Sequence, residues 1–489
     1  MENNNETNIK SKVFSGLLWK FGERIAAQLI SLIVSIILAR LLLPSEYGAV
    51  ALVMVFITIA NVFVSSGFGN ALIQKKDADN LDFSSVFYIN ILLSIGLYFI
   101  IFFCAPLVAQ FFEMEILAPA LRVLGIRIPI AAINTVQQAY VSRNMLFKRF
   151  FWSTLFGTLI SGVVGVIMAY QGFGVWALVT QYLVSTSVDT VVLWFTVRWR
   201  PDRAFSLTRA KELLSFGWKL LVSGLIDTGY TQLRALIIGK MYTSSDLAFY
   251  NQGDKYPSLI VVNINASISS VLFPAMSKMQ DEREKVKLMT RRSIQVSSYV
   301  MWPLMIGLAV VAEPMVSLLL TDKWLPCVPY LRFFCITYGL WPIHTSNLQA
   351  LNAIGRSDLF LKLEIIKKVI GLAALLISMQ FSPLAMAGSM VITGVISTFV
   401  NSAPNRKLLN YTYREQLKDL LPSFAMAAVM GAIVYPVIFL GLSNVVTLII
   451  QIGAGIVIYL LLSKLTKSSS YTYVMDIAKP LLKKVLKRG

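Results

Sequence analysis

The side chains with most chemistry to offer here are ionisable groups set inside long apolar stretches. They are Lys20, Glu23, Arg24, Arg122, Arg127, Asp189, Asp227, Arg234, Arg332, His344, Lys362, Glu364, Lys367 and Lys368. A guanidinium can grip a phosphate through two parallel hydrogen bonds, and a carboxylate can take up H⁺ or Na⁺. At the centre of a membrane helix such a group costs about 2.5–3.5 kcal/mol, so half a dozen facing lipid would cost roughly 15–20 kcal/mol. That exceeds the stability of a typical protein. These groups must line a wet cavity or pair with one another.

Arg24, Arg122, Arg127, Arg234 and Arg332 are therefore candidate anion-binding cations, and Asp227, Asp189 and Glu364 candidate sites for a coupling ion. Others have plainer readings. Lys20, Lys219 and Lys362 lie within reach of an interface and can snorkel. Lys367 and Lys368 are adjacent, so one of them points away from any cavity. Lys20, Glu23 and Arg24 have the spacing of local ion pairs. His344, the one histidine, reads as a satisfied core residue before a proton switch. Asp227 and Arg234, seven residues apart, share one helical face.

Other chemistry is excluded. The chain has no G-x-x-x-x-G-K-[ST] phosphate loop, and Gly67-Phe-Gly69 lacks the third glycine of a dinucleotide fingerprint. One histidine leaves no Ser-His-Asp or Cys-His nucleophile and no His-rich metal site. Cys104, Cys327 and Cys335 have no metal-ligand spacing and imply no disulfide framework. No cofactor is expected beyond a coupling H⁺ or Na⁺, and the chain reads as a non-enzyme.

The elements that must position these groups are membrane spans. The chain of 489 residues is 56% hydrophobic and only 14% charged, with a mean hydropathy of +0.68. Spans are predicted at Trp19–Leu43, Tyr47–Ile73, Val86–Ala109, Ile116–Ser142, Phe151–Tyr170 and Val175–Val197. Beyond a charged linker come Phe216–Met241, Tyr256–Met276, Ser293–Leu320, Cys327–Ile354, a weaker Leu359–Met379 and Pro383–Pro404. Pro422–Leu442, Val445–Ser463 and a basic tail complete the chain. About 30 of the 44 Lys and Arg fall on alternate connections of one side and about four on the other. The net charge of +19 is thus an orientation signal, and no nucleic-acid partner is expected. Both termini should be cytoplasmic, which fits an even count of fourteen. The tail after Lys464 should lie on the membrane surface, with Val474, Ile477, Leu481 and Leu482 on one face.

The pattern is duplicated. Trp19-Lys20 recurs as Trp218-Lys219; Arg40, Ser45 and Glu46 recur 200 residues on as Lys240, Ser245 and Asp246. Leu121-Arg122 recurs as Leu331-Arg332, Pro129 as Pro342, and Gln138-Ala139 as Gln349-Ala350. The expected fold is an all-α polytopic membrane protein with two pseudo-symmetric six-helix lobes around a central cavity, plus two extra C-terminal helices. Residues 1–197 form the first lobe, 198–215 a cytoplasmic linker, 216–404 the second lobe, and 405–489 the last two spans and tail.

Four stretches carry a family likeness: Leu38-Ala-Arg-Leu-Leu-Leu-Pro-Ser-Glu-Tyr-Gly48, Gly67-Phe-Gly-Asn-Ala-Leu-Ile-Gln-Lys-Lys76, Leu272-Phe-Pro-Ala-Met-Ser-Lys-Met-Gln-Asp281 and Asp322-Lys-Trp324. With them the chain resembles the polysaccharide-transporter branch of the multidrug/oligosaccharidyl-lipid/polysaccharide exporter superfamily, the Wzx-type and colanic-acid-type flippases. The resemblance implies alternating access and an oligosaccharide cargo on an undecaprenyl pyrophosphate carrier. It also implies work beside a polysaccharide polymerase and chain-length machinery. Two other readings stand beside it: a cation-coupled drug exporter, which would favour an acidic and aromatic cavity, and a membrane-embedded polymerase. The basic excess inside the spans argues against the first. The repeat and the short outer connections argue against the second.

Overall fold

The computed structural model describes residues 26–65, 68–75 and 77–486, in which every regular element is a helix. Lys20, Glu23, Arg24 and the first half of the Trp-Lys repeat lie outside the described residues. Among the described residues, ten helices are long and apolar enough to cross a membrane.

The chain divides into two compact units, residues 1–248 and 249–489. The first holds α1 (Ala26–Leu41), α2 (Pro44–Ser65), α3 (Phe68–Gln74), α4 (Asn80–Phe112), α5 (Leu117–Gly125), α6 (Arg127–Arg143), α7 (Phe147–Tyr170), α8 (Val175–Thr196), α9 (Leu207–Met241) and the first turn of α10 (Ser244–Ser277). The second holds the rest of α10, α11 (Arg283–Val310), α12 (Ala312–Leu320), α13 (Val328–Gly339), α14 (Trp341–Ala353), α15 (Ser357–Ser378), α16 (Pro383–Leu408), α17 (Tyr413–Val434), α18 (Asn444–Leu465) and α19 (Ser469–Leu486).

Several predicted boundaries move. The connection expected between Met241 and Tyr256 is helical from Ser244, with Asn251, Gln252, Asp254 and Lys255 inside α10. Those polar residues lower the hydropathy without breaking the helix. Likewise α9 begins at Leu207, nine residues before its apolar part, where the Ser206 hydroxyl accepts from the Arg209 N–H. The predicted span Ser293–Leu320 is broken at Val311.

The internal repeat reaches the level of single hydrogen bonds. The Glu46 carboxylate accepts from the Leu43 backbone N–H at 2.6 Å, and 200 residues on the Asp246 carboxylate accepts from the Thr243 N–H at 3.1 Å. Each acid satisfies an orphan donor at the start of its helix and favours the positive end of the dipole. Both mid-span breaks also match: α5 gives way to α6 at Ile126, and α13 to α14 at Leu340. Pro129 and Pro342 lie just beyond, each unable to donate to the carbonyl four residues earlier.

Gly48, from the first motif, is required by close approach. A Cβ there would sit 1.7 Å from the Ser244 carbonyl oxygen. At the opposite end of the first unit, Asp82 is 0% exposed and takes an ion pair from Lys75 at 2.8 Å. Arg209 reaches both Asp82, at 3.4 Å, and Asp79, at 2.7 Å, so the start of α9 is tied to the start of α4. The bond from the Asp82 N–H, with Arg209 beside it, holds the Asp79 carboxyl below its ordinary range. In the second unit the first turns of α19 pack Tyr471 and Val474 on the cluster around Tyr299 and Trp302. Arg292 also covers the Tyr473 ring at 3.9 Å.

Candidate functional site

Four helices of the first unit line a polar cavity of about 290 Å³. Their contributions fall at helical spacing: Asn61, Val64 and Ser65 from α2, and Arg127, Ala131, Asn134, Thr135 and Gln138 from α6. From α7 come Thr154, Gly157 and Thr158, and from α8 Ser185, Thr186 and Asp189. Steps of three and four residues put each set on one face of its helix. Gly157 lets α7 lie close on α8, for a Cβ there would be 3.2 Å from the Ser185 carbonyl. Small residues are what allow such approach inside a membrane.

Arg127, at the start of α6, occupies one end. Its Nε donates to the Thr186 hydroxyl at 2.6 Å, its Nη1 lies 3.6 Å from the Met54 sulfur, and its guanidinium is 5.7 Å from the Tyr182 ring centroid. Thr186 in turn donates to the Tyr182 carbonyl at 3.2 Å. Asn134 lies two turns further along α6, roughly 10 Å away. It is 4% exposed and donates through Nδ2 to Asp189 Oδ2 at 2.7 Å. Asn61 Oδ1, Asn134 Oδ1 and Asp189 Oδ1 are buried with no donor among the described residues. Thr135 and Thr158 give their hydroxyl protons to carbonyls one turn back, those of Ala131 and Thr154. What these hydroxyls have left is lone pairs. The cavity thus has a cation at one end, a carboxylate near the other and a wall rich in acceptors.

Of the predicted site residues, the structure brings together Arg127 and Asp189. Arg122 and Arg332 repeat each other's local geometry: Arg122 Nε donates to the Phe102 carbonyl at 3.2 Å and Arg332 Nε to the Ala309 carbonyl at 3.3 Å. Each guanidinium also covers an aromatic ring, Phe102 at 4.5 Å and Tyr435 at 5.6 Å. They differ in what is left over. Arg332 Nη2 is buried without a hydrogen bond, and its nearest counter-charge is the half-exposed Glu313 at 3.8 Å. No carboxylate near Arg332 was evident in the sequence, because Glu313 comes from α12, a separate helix. Arg234 Nε is likewise buried, with no hydrogen bond among the described residues. Asp227 lies two turns before it on α9, and its carbonyl accepts from Thr231 at 2.8 Å. Glu364 is paired with Lys367 one turn on. The His344 ring rests its Nδ1 against the Asn401 amide at 3.0 Å, as a core histidine would.

Sequence reasoning missed the neutral part of the site. It weighed charges, whereas most of the wall is Asn, Gln, Ser and Thr. The available signal was the helical spacing of those residues within apolar spans. It also missed an interhelical clamp: Asp419 receives two bonds from Arg291, at 2.9 and 3.0 Å, one from Gln295 at 2.7 Å and one from Tyr411 at 2.8 Å. With every bond satisfied inside the second unit, that carboxylate fastens α17 to α11. A further, apolar groove of about 480 Å³ runs beside α11, α17 and α18, lined by Leu304, Met430, Val434, Ile452 and Ile456 among others.

Residues 37–329 match the family described as polysaccharide biosynthesis protein, well over half of the chain. The chain belongs to that family. Over 467 residues it is 25% identical to the teichuronic acid biosynthesis protein TuaB of Bacillus subtilis (strain 168), covering 93% of this chain and 95% of TuaB. It is 23% identical over 444 residues to the lipopolysaccharide biosynthesis protein WzxC of Escherichia coli (strain K12), covering 87% and 89%. The succinoglycan biosynthesis transport protein ExoT of Rhizobium meliloti (strain 1021) is 24% identical over 457 residues, covering 91% of each. The fold is that of the lipid II flippase MurJ in its inward closed conformation, with a TM-score of 0.75 at 16% identity over 92% of this chain and 98% of that one. An inward-facing MATE family multidrug transporter aligns with a TM-score of 0.62 at 18% identity, over 78% and 94%. This member of the polysaccharide biosynthesis family is therefore a multi-pass membrane protein with the architecture those two transporters share.

Proposed function

We propose that the protein exports oligosaccharide repeat units on undecaprenyl pyrophosphate across the bacterial inner membrane by alternating access, for O-antigen, capsule or exopolysaccharide synthesis. The observation that carries this reading is Arg127, a cation on the wall of a polar cavity within membrane-spanning helices. A pyrophosphate needs a guanidinium there, and hydroxyl-rich sugars need the neutral wall. The apolar groove has the chemistry to hold part of a prenyl chain. The protein acts as a transporter and not as an enzyme, and it hands its product to a polymerase with its chain-length machinery.

The driving force requires no nucleotide. Carrying an anion outward against an inside-negative potential releases roughly 2.3 kcal/mol per charge per 100 mV. Inward H⁺ at Asp189, or H⁺ or Na⁺ at Asp227, would add to this, whereas Glu364 is already paired with Lys367. A drug exporter remains the second reading, favoured by the likeness to the MATE transporter. Deleting the gene should leave unpolymerised carrier-linked repeat units on the cytoplasmic leaflet, measured by lipid extraction and leaflet-selective labelling. Normal polymer in that strain, with sensitivity to cationic drugs, would favour the exporter.

The reading includes fourteen crossings in two six-helix lobes plus two helices, with both termini cytoplasmic. A cysteine at position 285 of a variant lacking the native cysteines should react with an impermeant maleimide only after the membrane is opened from the cytoplasmic side. Labelling from the periplasm would overturn the orientation and the span count together.

A further inference from the structure

We infer that the cavity of the first unit is a recognition pocket for one sugar residue of the cargo, the residue joined directly to the pyrophosphate. This rests on the proposed glycan cargo and adds where, and by what chemistry, the glycan is read. Three observations carry it. The wall holds orphaned acceptors: one oxygen each of Asn61, Asn134 and Asp189 has no donor among the described residues, and the Thr135 and Thr158 hydroxyls have spent their protons. A pyranose is a ring of hydroxyl donors, and burying it against such a wall satisfies both sides. The pocket, about 290 Å³, has room for a pyranose ring. Finally, the charges are ordered along the cavity. Arg127 stands two helical turns from the Asn134–Asp189 pair, so a phosphate at the arginine leaves its attached sugar beside the amide and carboxylate.

The two competing ligands fit less well. A lone Na⁺ wants a tight cage of oxygens, and here it would share a much larger cavity with the Arg127 guanidinium, which repels it. A free phosphate would fill only the Arg127 end and leave the orphaned oxygens of Asn134 and Asp189 without donors.

The test uses full-length protein in two formats. In nanodiscs, saturation-transfer NMR is run with the methyl glycosides of glucose, galactose, mannose, rhamnose and N-acetylglucosamine, and calorimetry with NaCl. In proteoliposomes, transfer of undecaprenyl pyrophosphate bearing one hexose is compared with that of the bare carrier. At least one glycoside should bind, and Asn134→Leu and Thr158→Val should each weaken it about tenfold, the effect of one lost hydrogen bond to a buried acceptor wall. The same variants should shrink the preference for the glycosylated carrier by a similar factor. Unfolding midpoints identify a variant that has simply lost its fold, and Thr158→Val removes one hydroxyl at constant shape. Asp189→Asn keeps one acceptor oxygen of two and should weaken glycoside binding no more than Thr158→Val does. If no glycoside binds, or if Na⁺ binds and Asp189→Asn abolishes it, the pocket is not a sugar site. Failure of the wild type to move either carrier counts against the export reading alone, because the glycoside arm still decides the pocket.

Discussion

Arg127→Ala should cut export of the carrier-linked glycan about a hundredfold at unchanged membrane abundance, and Arg127→Lys about tenfold. Removing one partner of a buried, hydrogen-bonded charge pair costs about 2–5 kcal/mol, and each 1.36 kcal/mol is a factor of ten. Lysine restores the charge but not the fork that could hold Thr186 with one arm and a phosphate oxygen with another. Polymer output and membrane protein level, measured together in the same cells, separate a cargo contact from a structural one. Loss of abundance in proportion to polymer would demote Arg127 to a packing role. Normal polymer from Arg127→Ala would remove it from the path altogether.

The second large effect is a contrast between two residues that the repeat makes equivalent. Arg332→Ala should stop export at least tenfold at near-normal abundance, because its Nη2 is a buried donor without a hydrogen bond, an open valence for an anion. Arg122→Ala should act mainly on abundance. Its Nε is committed to the Phe102 carbonyl and its guanidinium stacks on the Phe102 ring, so the arginine fastens α5 to α4. Arg122→Lys would then rescue little, whereas Arg332→Lys should recover part of the activity through charge alone. Identical behaviour of the two alanine variants in both readouts would contradict the asymmetry.

The parts of this fold legible in the sequence are those written in apolar runs and in chemistry that survives duplication. Glu46 with Asp246, Pro129 with Pro342, and the cation pairs Arg40–Lys240 and Arg122–Arg332 are matched by residue type plus offset, while the caps and mid-span breaks they make appear only in the structure. What escaped obeys a different physics. The polar first half of α10 is helical because its backbone bonds are made locally and its side chains find partners such as Tyr338, which bonds Asp254. Hydropathy sees neither. Glu313 beside Arg332 and Arg291 on Asp419 are separated by 19 and 128 residues, so tertiary packing alone brings them together. The cavity was half legible. Arg127 and Asp189 announced themselves by charge, while Asn61, Asn134, Thr158 and Ser185 are inexpensive enough in a membrane helix to pass as ordinary packing, and only their convergence from four helices marks them.

The central claim is that the protein moves a pyrophosphate-linked oligosaccharide between leaflets. Its most direct test is purified protein in proteoliposomes loaded on one leaflet with fluorescent undecaprenyl-pyrophosphate oligosaccharide, with arrival at the other leaflet read by an impermeant lectin or quencher. Transfer should depend on the protein, quicken when the potential favours outward movement of the anion, and fall about a hundredfold with Arg127→Ala. Equal transfer in protein-free vesicles, or active protein that moves a cationic drug but not the glycolipid, would contradict it.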